Sequence, residues 1–312
     1  MSWRDRMSGK KRFFNLDNIE NTKSFNDFRR WQKERRQNKK DLSIQIEQSP
    51  TKEIVQLNKN RKDASITWIG HSTFFIQIEG LNIVTDPVWA NRMGFGKRLT
   101  APGIFITDLP DIDIVLISHG HFDHLDFPSI KKLKGDPTFY VPIGLGKIFN
   151  KRGYHNIFEA NWYDSFKLNS LSLSFVPAQH WTKRTLTDTN TSHWGGWVIE
   201  NEPHSIYFVG DTGYFRGFKE IAEKFNIETV LMPIGAYEPE WFMKVSHINP
   251  EDAVKAYIEL NGTTFIPMHY GTYHLADDTG PEAIARLDAE WDKQQLDPNQ
   301  LKKLLIGETF WL

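Results

Sequence analysis

The sequence contains, at residues 113–124, the run Asp113-Ile114-Val115-Leu116-Ile117-Ser118-His119-Gly120-His121-Phe122-Asp123-His124. The apolar half of this run predicts a buried β-strand, and three histidines and one aspartate follow it within six residues. In an extended loop His119 and His121 point the same way, whereas Asp123 and His124 follow a further turn of the chain and can face a second point nearby. The run therefore predicts two halves of a metal site, because such a pattern seldom arises by chance.

Three further apolar runs each end in a side chain of a metal-binding type, at His180, Asp211 and His269. Folds with helices and stacked sheets place such residues at one edge of the sheets, where sites form. The five histidines and two aspartates collected there are enough for two metal ions with one bridging carboxylate. The chain has no cysteine, which excludes disulfides, iron–sulfur clusters and thiol nucleophiles. Imidazole and carboxylate ligands without sulfur suit Zn, Fe, Mn, Co or Ni.

The residue pattern of the sequence changes near residue 63. From Ala64 onward, alternating and β-branched runs begin, with Glu79-Gly80 as a turn between two of them. Strands come first in succession and then alternate with helical stretches, of which the last two carry Pro250 and Pro281 at an early position. This order predicts an α+β fold of two stacked sheets with helices outside, formed by residues 63–312 and preceded by an extension over residues 1–62.

Charge is distributed unevenly along the chain. The whole sequence has 38 Lys and Arg against 39 Asp and Glu, but residues 1–62 contain 17 basic and 8 acidic residues. The acidic balance of the remainder argues against nucleic acid as a partner, because a phosphate backbone needs a positive groove. No run of consecutive apolar residues approaches the roughly 18 residues of a membrane span, and the start does not resemble a signal peptide. We therefore expect a cytoplasmic protein.

A helix is predicted around residues 24–37, within the basic extension. It combines aromatic residues at helical spacing, Phe25, Phe28 and Trp31, with a cluster of Lys and Arg. One interpretation is peripheral contact with the anionic inner face of a membrane. The other is an extension whose aromatic residues pack onto the main domain while its charges face water.

The order His-x-His-x-Asp-His, then His180, Gly210-Asp211-Thr212 and His269, is similar to that of the metallo-β-lactamase superfamily. Further motifs between about Ala64 and Leu275 resemble those of the N-acylphosphatidylethanolamine-hydrolysing phospholipase D group and its bacterial relatives. They are Trp68-Ile69-Gly70-His71-Ser72-Thr73, Thr85-Asp86-Pro87, Gln179-His180-Trp181-Thr182-Lys183-Arg184-Thr185, Gly210-Asp211-Thr212-Gly213-Tyr214 and Pro233-Ile234-Gly235-Ala236-Tyr237-Glu238-Pro239-Glu240-Trp241-Phe242-Met243. The resemblance implies an αββα metallo-β-lactamase-like sandwich that carries a dinuclear hydrolase centre.

The resemblance also implies a role for each candidate ligand. One metal ion would be held by His119, His121 and His180, the other by Asp123, His124 and His269, with Asp211 as the bridge. The ions are expected to be zinc, with iron or manganese as alternatives. Two cations roughly 3.5–4 Å apart lower the pKa of a shared water, so that a metal-bound hydroxide forms at neutral pH. Asp123 can orient that hydroxide and is therefore also a catalytic candidate.

Other residues are placed around this centre by the same resemblance. His247 matches a histidine near the substrate phosphate, where it would protonate the leaving oxygen or hydrogen-bond the phosphoryl group; the alternative is a histidine that braces the following helix. Tyr237, Trp241 and Phe242 would line a groove for acyl chains, unless they only pack in the core. His71 is expected to support the metal site without being one of its ligands.

The leading hypothesis is a metal-dependent phosphodiesterase of phospholipase D type that hydrolyses an N-acylphosphatidylethanolamine-like lipid. One alternative is a lactonase or another ester hydrolase with the same dinuclear centre, and a second is a non-catalytic metal-binding protein that contacts membranes. The expected partner is a phospholipid-like or other small ester, and Lys183 and Arg184 either contact such an anionic substrate or face water. The sequence leaves the oligomeric state open.

Overall fold

The computed structural model describes residues 11–94 and 96–312. Its strands are β1 Ser65–Gly70, β2 Thr73–Ile78, β3 Leu81–Thr85, β4 Arg92–Met93, β5 Gly96–Lys97, β6 Ile114–Leu116, β7 Thr138–Pro142, β8 Ile157–Ala160, β9 Ser165–Leu168, β10 Leu171–Val176, β11 Gly196–Glu200, β12 Ser205–Phe208, β13 Thr229–Pro233, β14 Thr264–Met268 and β15 Thr309–Trp311. The first sheet has the order β15-β1-β2-β3-β6-β7-β8, the second has the order β14-β13-β12-β11-β10-β9, and β4 pairs with β5.

The α-helices in the described residues are α1 Phe25–Gln37, α2 Ile54–Lys59, α3 Phe127–Ile130, α4 Gly146–Asn150, α5 Gly217–Ala222, α6 Glu240–Met243, α7 Pro250–Leu260 and α8 Gly280–Lys293. Four of them, α1, α3, α7 and α8, begin after a capping side chain. Ser24 and Asp27 form a reciprocal capping box at the start of α1, and such caps satisfy main-chain N–H groups that the helix leaves open. Asn249 and Thr279 cap α7 and α8, since the side chain of each accepts a main-chain N–H of the first turn, and a proline lies in that turn of both helices.

Both faces of the first sheet are buried. Trp68 of β1 and Trp197 of β11 belong to the cluster in which the two sheets pack face to face. On the opposite face of the first sheet, a second cluster includes Phe127 of α3 and Phe149 of α4. On the outer side of the second sheet, the ring of Tyr257 in α7 packs against a ring of β14. This order of helices, sheet, sheet and helices confirms the predicted αββα sandwich.

The parallel strands bring their carboxyl ends to one edge of the sandwich. β3, β6 and β7 run parallel in the first sheet, as do β12, β13 and β14 in the second. Asp86, Ser118, Asp211 and His269 follow β3, β6, β12 and β14 within three residues. The two sheets are joined at this edge, since the main-chain N–H of His269 donates to the carbonyl oxygen of His71 at 3.2 Å. The topology therefore gathers residues that are distant in sequence.

The segment before residue 63 packs against the sandwich. Helix α1 has no buried residue, yet the indole N–H of Trp31 donates to Asp277 Oδ2 at 2.5 Å and Arg35 Nε lies 3.0 Å from Asp277 Oδ1. Leu57 of α2 is only 1% exposed and belongs to the second cluster. Residues 1–10 of the predicted extension lie outside the described residues, and its boundary at residue 62 stays a prediction. Within the described ranges, none of the helices combines the length and apolarity needed to cross a bilayer.

Candidate metal centre

A buried carboxylate at the end of β3 holds the loop that follows β6. Thr85 lies opposite Leu116 in the parallel register, which places Asp86 beside Ser118. Asp86 Oδ1 accepts the main-chain N–H of Ser118 at 2.7 Å, and Oδ2 accepts the Ser118 hydroxyl at 2.5 Å and lies 2.6 Å from His124 Nδ1. Since an ionised carboxylate can only accept, His124 Nδ1 carries the hydrogen and His124 Nε2 is the atom presented to the site.

Three histidine rings converge next to this loop. His119 Nε2 lies 2.9 Å and His180 Nε2 lies 3.1 Å from His121 Nδ1. The Ser118 hydroxyl donates its hydrogen bond to Asp86, so its oxygen accepts from His119 Nδ1 at 2.9 Å; His180 Nδ1 donates to the Ser246 carbonyl at 2.8 Å. These contacts fix both tautomers and leave a lone pair on Nε2 of His119 and of His180.

A second group surrounds the carboxylate of Asp211. His124 Nε2 lies 3.2 Å from Asp211 Oδ2, and His269 Nε2 lies 3.0 Å from Asp211 Oδ1. Asp123 Oδ2 lies 3.4 Å from His124 Nε2, 3.9 Å from His269 Nε2 and 3.2 Å from His71 Nε2. The last contact places His71 against Asp123, and the supporting role of His71 stays a prediction.

Asp211 also faces the three-histidine group. Its Oδ2 lies 3.9 Å from His180 Nε2, so one carboxylate stands between the two sets of rings. The same oxygen lies 3.8 Å from Nδ1 of His247, which precedes α7 and is partly exposed. His247 is thus at the rim of the centre, between the buried rings and solvent.

Burial and mutual charge set the protonation of these groups. Burial lowers the pKa of His121 and of His247 to about 4. Burial also opposes the charged form of His124, but the carboxylates of Asp211 and Asp123 outweigh it and hold the pKa of His124 well above its usual range. Burial alone would raise the pKa of Asp123 and Asp211, yet the nearby imidazolium of His124 keeps both well below the usual range. The site therefore holds ionised carboxylates around a positive charge.

The donor set fits divalent cations. His121 Nε2 is a buried atom without a hydrogen-bond partner. Unpaired buried polar atoms are costly unless something else satisfies them. Ligand atoms lie within 4.8 Å of one another in the sets His119-His121-His180, His71-Asp123-His124-His269, Asp86-His119-His124 and His180-Asp211-His247. The structure thus brings together all seven side chains predicted as ligands, and these clusters are able to bind metal.

Two supporting contacts were not assigned from the sequence. Arg184 Nη1 donates to the carbonyl oxygens of Gly120 at 2.8 Å and Leu125 at 3.0 Å, so it holds the ligand loop, and its contact with substrate stays a prediction. Burial lowers the pKa of Arg184 to about 10. Asp86 was visible only as part of a motif, and the signal for its role was a polar residue directly after a strand that neighbours β6.

The three residues predicted to line a substrate groove occupy different environments. Tyr237 is fully buried in the main core cluster, so it lines no open groove in this structure. The indole N–H of Trp241 donates to Glu34 Oε2 at 2.8 Å, and the ring of Phe242 lies 5.0 Å from that of Trp31. Helix α1 therefore covers Trp241 and Phe242, and their contact with substrate stays a prediction.

Comparison with known proteins agrees with this architecture. A family model described as a beta-lactamase superfamily domain matches residues 81–270. N-acyl-phosphatidylethanolamine-hydrolyzing phospholipase D 1 of Caenorhabditis elegans is 39% identical over 228 residues, which are 67% of this chain and 64% of that protein. The chain thus spans less than two thirds of this relative's length.

The chain is also similar to a second hydrolase in sequence and to a solved structure in fold. A metal-dependent hydrolase of Methanopyrus kandleri is 32% identical over 212 residues, which are 67% of this chain and 84% of that protein. Among solved structures, a metallo hydrolase from Ignicoccus hospitalis superimposes with a TM-score of 0.61 at 22% identity, covering 80% of this chain and 99% of that one. The similarity to the Ignicoccus structure concerns the fold, whereas the family match rests on the sequence of residues 81–270. The chain therefore belongs to the metallo-β-lactamase superfamily, alongside metal-dependent hydrolases.

Proposed function

We propose that this chain is a metal-dependent phosphodiesterase of phospholipase D type, acting on N-acylphosphatidylethanolamine-like lipids. The observation that carries the proposal is the position of Asp211, whose carboxylate lies between the two groups of ligand atoms, 3.2 Å from His124 Nε2 and 3.0 Å from His269 Nε2 on one side and 3.9 Å from His180 Nε2 on the other. A carboxylate so placed suits a pair of divalent ions, the arrangement used to cleave phosphate esters. The similarity to the C. elegans phospholipase D supports the choice of substrate class.

Each group of side chains would hold one ion. The proposed sets are His119, His121 and His180 for the first and Asp123, His124 and His269 for the second, with Asp211 shared. When bound, two zinc ions, or iron or manganese in their place, would activate a water molecule and neutralise charge on the phosphoryl oxygens. The lone pairs that the hydrogen bonds of His119 and His180 leave on Nε2 support this assignment, as does the contact from His124 Nδ1 to Asp86, which makes Nε2 the nitrogen of His124 that would bind an ion in exchange for its proton.

The residues of the chain then have defined tasks in the reaction. Water adds to phosphorus, the bond from phosphorus to the alcohol oxygen breaks, and the alcohol leaves with a proton taken from that water. Asp123 is proposed to orient the water and receive its proton, since its carboxylate faces both His124 and His269. His247 stands at the rim, where it can hydrogen-bond a phosphoryl oxygen or pass a proton to the leaving oxygen as its bond to phosphorus breaks.

Substrate profiling tests the proposal. The purified full chain is assayed with N-acylphosphatidylethanolamine in mixed micelles, bis(p-nitrophenyl) phosphate and a lactone, each with and without a chelator. We expect turnover of both phosphodiesters, and we expect the chelator to abolish this turnover. Turnover of the lactone alone would instead support the alternative ester hydrolase, and metal binding without turnover of any ester would support a non-catalytic protein.

We also propose that α1 presents a lipid-binding face beside the centre. Trp31 attaches α1 to the sandwich, while Phe25 and Phe28 are 74% and 46% exposed. Exposed basic residues lie along the same helix, among them Arg29 and Lys33. Aromatic rings with interspersed cations suit an anionic membrane surface, where apolar groups enter the interface and each nearby cation contributes about 1 kcal/mol.

Vesicle binding tests this face. Phe25→Ser is expected to weaken binding to phosphatidylglycerol vesicles by about tenfold, because burial of a Phe side chain contributes about 1.5–3 kcal/mol. Leu186→Ser is the matched control, because Leu186 is 92% exposed on the sandwich and far from α1 in sequence. Equal binding by wild type and Phe25→Ser, or an equal loss in both variants, would contradict the proposal.

A further inference from the structure

The N-terminal segment before α1 is bound to the sandwich next to one of the proposed ligands. The ring of Phe13 stacks on that of His193 with centroids 4.5 Å apart, and its main-chain N–H donates to the Asn190 carbonyl at 2.9 Å. Arg12 Nη1 donates to the Thr189 carbonyl at 2.7 Å. These contacts place residues 12–15 across the loop that follows β10, and they bring one polar side chain, that of Asn15, into the interior.

Asn15 is only 8% exposed, and its side-chain amide is fully engaged. Its Oδ1 accepts the main-chain N–H of His180 at 2.9 Å and the indole N–H of Trp194 at 2.9 Å. Its Nδ2 donates to the Ile19 carbonyl at 2.9 Å. Two N–H donors on one side and a carbonyl acceptor on the other determine which amide atom is oxygen, so the orientation of Asn15 follows from its partners.

His180 is thereby held at both of its ends. Asn15 fixes the main chain, and the Ser246 carbonyl fixes the ring through Nδ1 at 2.8 Å. With both contacts in place, His180 Nε2 lies 3.1 Å from His121 Nδ1 and 3.9 Å from Asp211 Oδ2. His180 is fully buried, so an unpaired main-chain N–H there would be costly and would favour a shift of the peptide.

We propose that Asn15 is a positioning residue for the metal centre, which acts by holding the His180 peptide so that the imidazole is aimed at the three-histidine group. This rests on the proposed role of His180 as a ligand. Groups that orient metal ligands commonly change metal affinity by about 10- to 100-fold when they are removed. The N-terminal segment is then part of the centre, although it lies 165 residues away in sequence.

Three variants separate this role from simple anchoring of the segment. Asn15→Leu keeps the size of the side chain and removes the acceptor. Asn15→Asp keeps an oxygen that can accept from both His180 and Trp194. Phe13→Ala is the matched control, because it loses the stacking on His193 within the same segment and leaves the Asn15 acceptor in place.

Zinc affinity of the metal-stripped full chain is measured by competition with a chromophoric chelator. In Asn15→Leu, one of the two zinc ions is expected to bind at least about tenfold more weakly, while the other binds as in wild type. Asn15→Asp is expected to restore the affinity, and Phe13→Ala to leave it close to wild type. An equal loss in Asn15→Leu and Phe13→Ala, or no loss in Asn15→Leu, would overturn the proposal.

A second readout does not depend on metal. Amide hydrogen exchange of His180 in metal-free protein labelled with ¹⁵N-histidine is expected to be faster in Asn15→Leu than in Phe13→Ala, because only the former lacks the acceptor. Unchanged exchange would show that Asn15 does not hold this peptide. If wild-type protein bound no zinc while exchange behaved as expected, the proposed metal centre would be refuted and the contact from Asn15 to His180 would stand as a structural one.

Discussion

Replacing Asp86 with asparagine is expected to weaken metal binding by reversing the tautomer of His124. Asp86 Oδ1 accepts a main-chain N–H, that of Ser118, and a main-chain donor cannot become an acceptor. In Asp86→Asn the amide oxygen must therefore stay on Ser118, which turns the amide NH₂ toward the Ser118 hydroxyl and His124 Nδ1. The hydroxyl can rotate and accept, but the neutral His124 that metal binding requires must then carry its hydrogen on Nε2, the atom that faces the centre.

The size of the effect follows from the contact that is lost. His124 Nδ1 lies 2.6 Å from the buried carboxylate of Asp86, which is a charge-assisted hydrogen bond. Such bonds contribute about 1.5–3 kcal/mol. Since 1.4 kcal/mol is a factor of about ten in an equilibrium constant, the affinity for one metal ion should fall by about 10- to 100-fold, as is typical when the partner of a ligating histidine is removed.

Metal titration of the stripped protein measures the affinity, and two-bond ¹H–¹⁵N spectra of labelled histidine report the tautomer of His124. Asp113→Asn is the control, because Asp113 also accepts a main-chain N–H, that of Asn82, at 2.8 Å, but at the opposite end of the same pair of strands. Wild-type affinity in Asp86→Asn, or an unchanged tautomer of His124, would refute this reasoning. An equal loss of affinity in the control would show that the loss comes from a disturbed pair of strands and not from His124.

Three further outcomes are expected. Asp211→Ala should lower the metal content of the protein to one ion or fewer and remove most phosphodiester turnover, as measured by metal analysis and assay of the same preparation; two retained ions with normal turnover would remove Asp211 from the centre. Arg184→Met should lower the free energy of unfolding in urea by about 3 kcal/mol, because two buried carbonyls, those of Gly120 and Leu125, lose a charged donor, and an unchanged midpoint would contradict that role. Burial raises the pKa of Asp278 to about 6, so the folded protein favours the protonated carboxyl. Protonated Asp278 therefore contributes to the free energy of unfolding below about pH 4, and this contribution is lost as the pH rises through 6. The loss amounts to about 3 kcal/mol, and Asp278→Asn should flatten the decline of unfolding free energy between pH 4 and 6, whereas the same decline in both proteins would assign it to other groups.

The parts of the fold and site that the sequence predicts are those with a local signal. The strand that leads into His119 and the helix that starts at Ser24 are each determined by residues within a few positions, and the structure has both. The gathering of His180, Asp211 and His269 could also be inferred, because parallel strands end at a common edge.

What the sequence could not predict depends on contacts between distant residues. Asp86 and His124 are 38 residues apart, and Asn15 and His180 are 165 residues apart, so no local pattern links them. For Tyr237 a local motif exists, but the motif does not determine whether the side chain is buried. Tyr237 lies in a motif that resembles a substrate-binding segment, but burial depends on how the sheets pack, and its ring is enclosed in the core. Neither kind of information is carried by composition or spacing.

The most direct test of the metal centre combines metal content with turnover in one preparation. Zinc per chain and hydrolysis of bis(p-nitrophenyl) phosphate are measured for wild type, His121→Ala and His269→Ala, which alter one proposed half-site each. We expect two zinc ions per wild-type chain, a loss of at least one ion in each variant, and turnover that falls with the metal content. Full turnover in chelator-treated wild type, or two ions retained in both variants, would contradict this expectation.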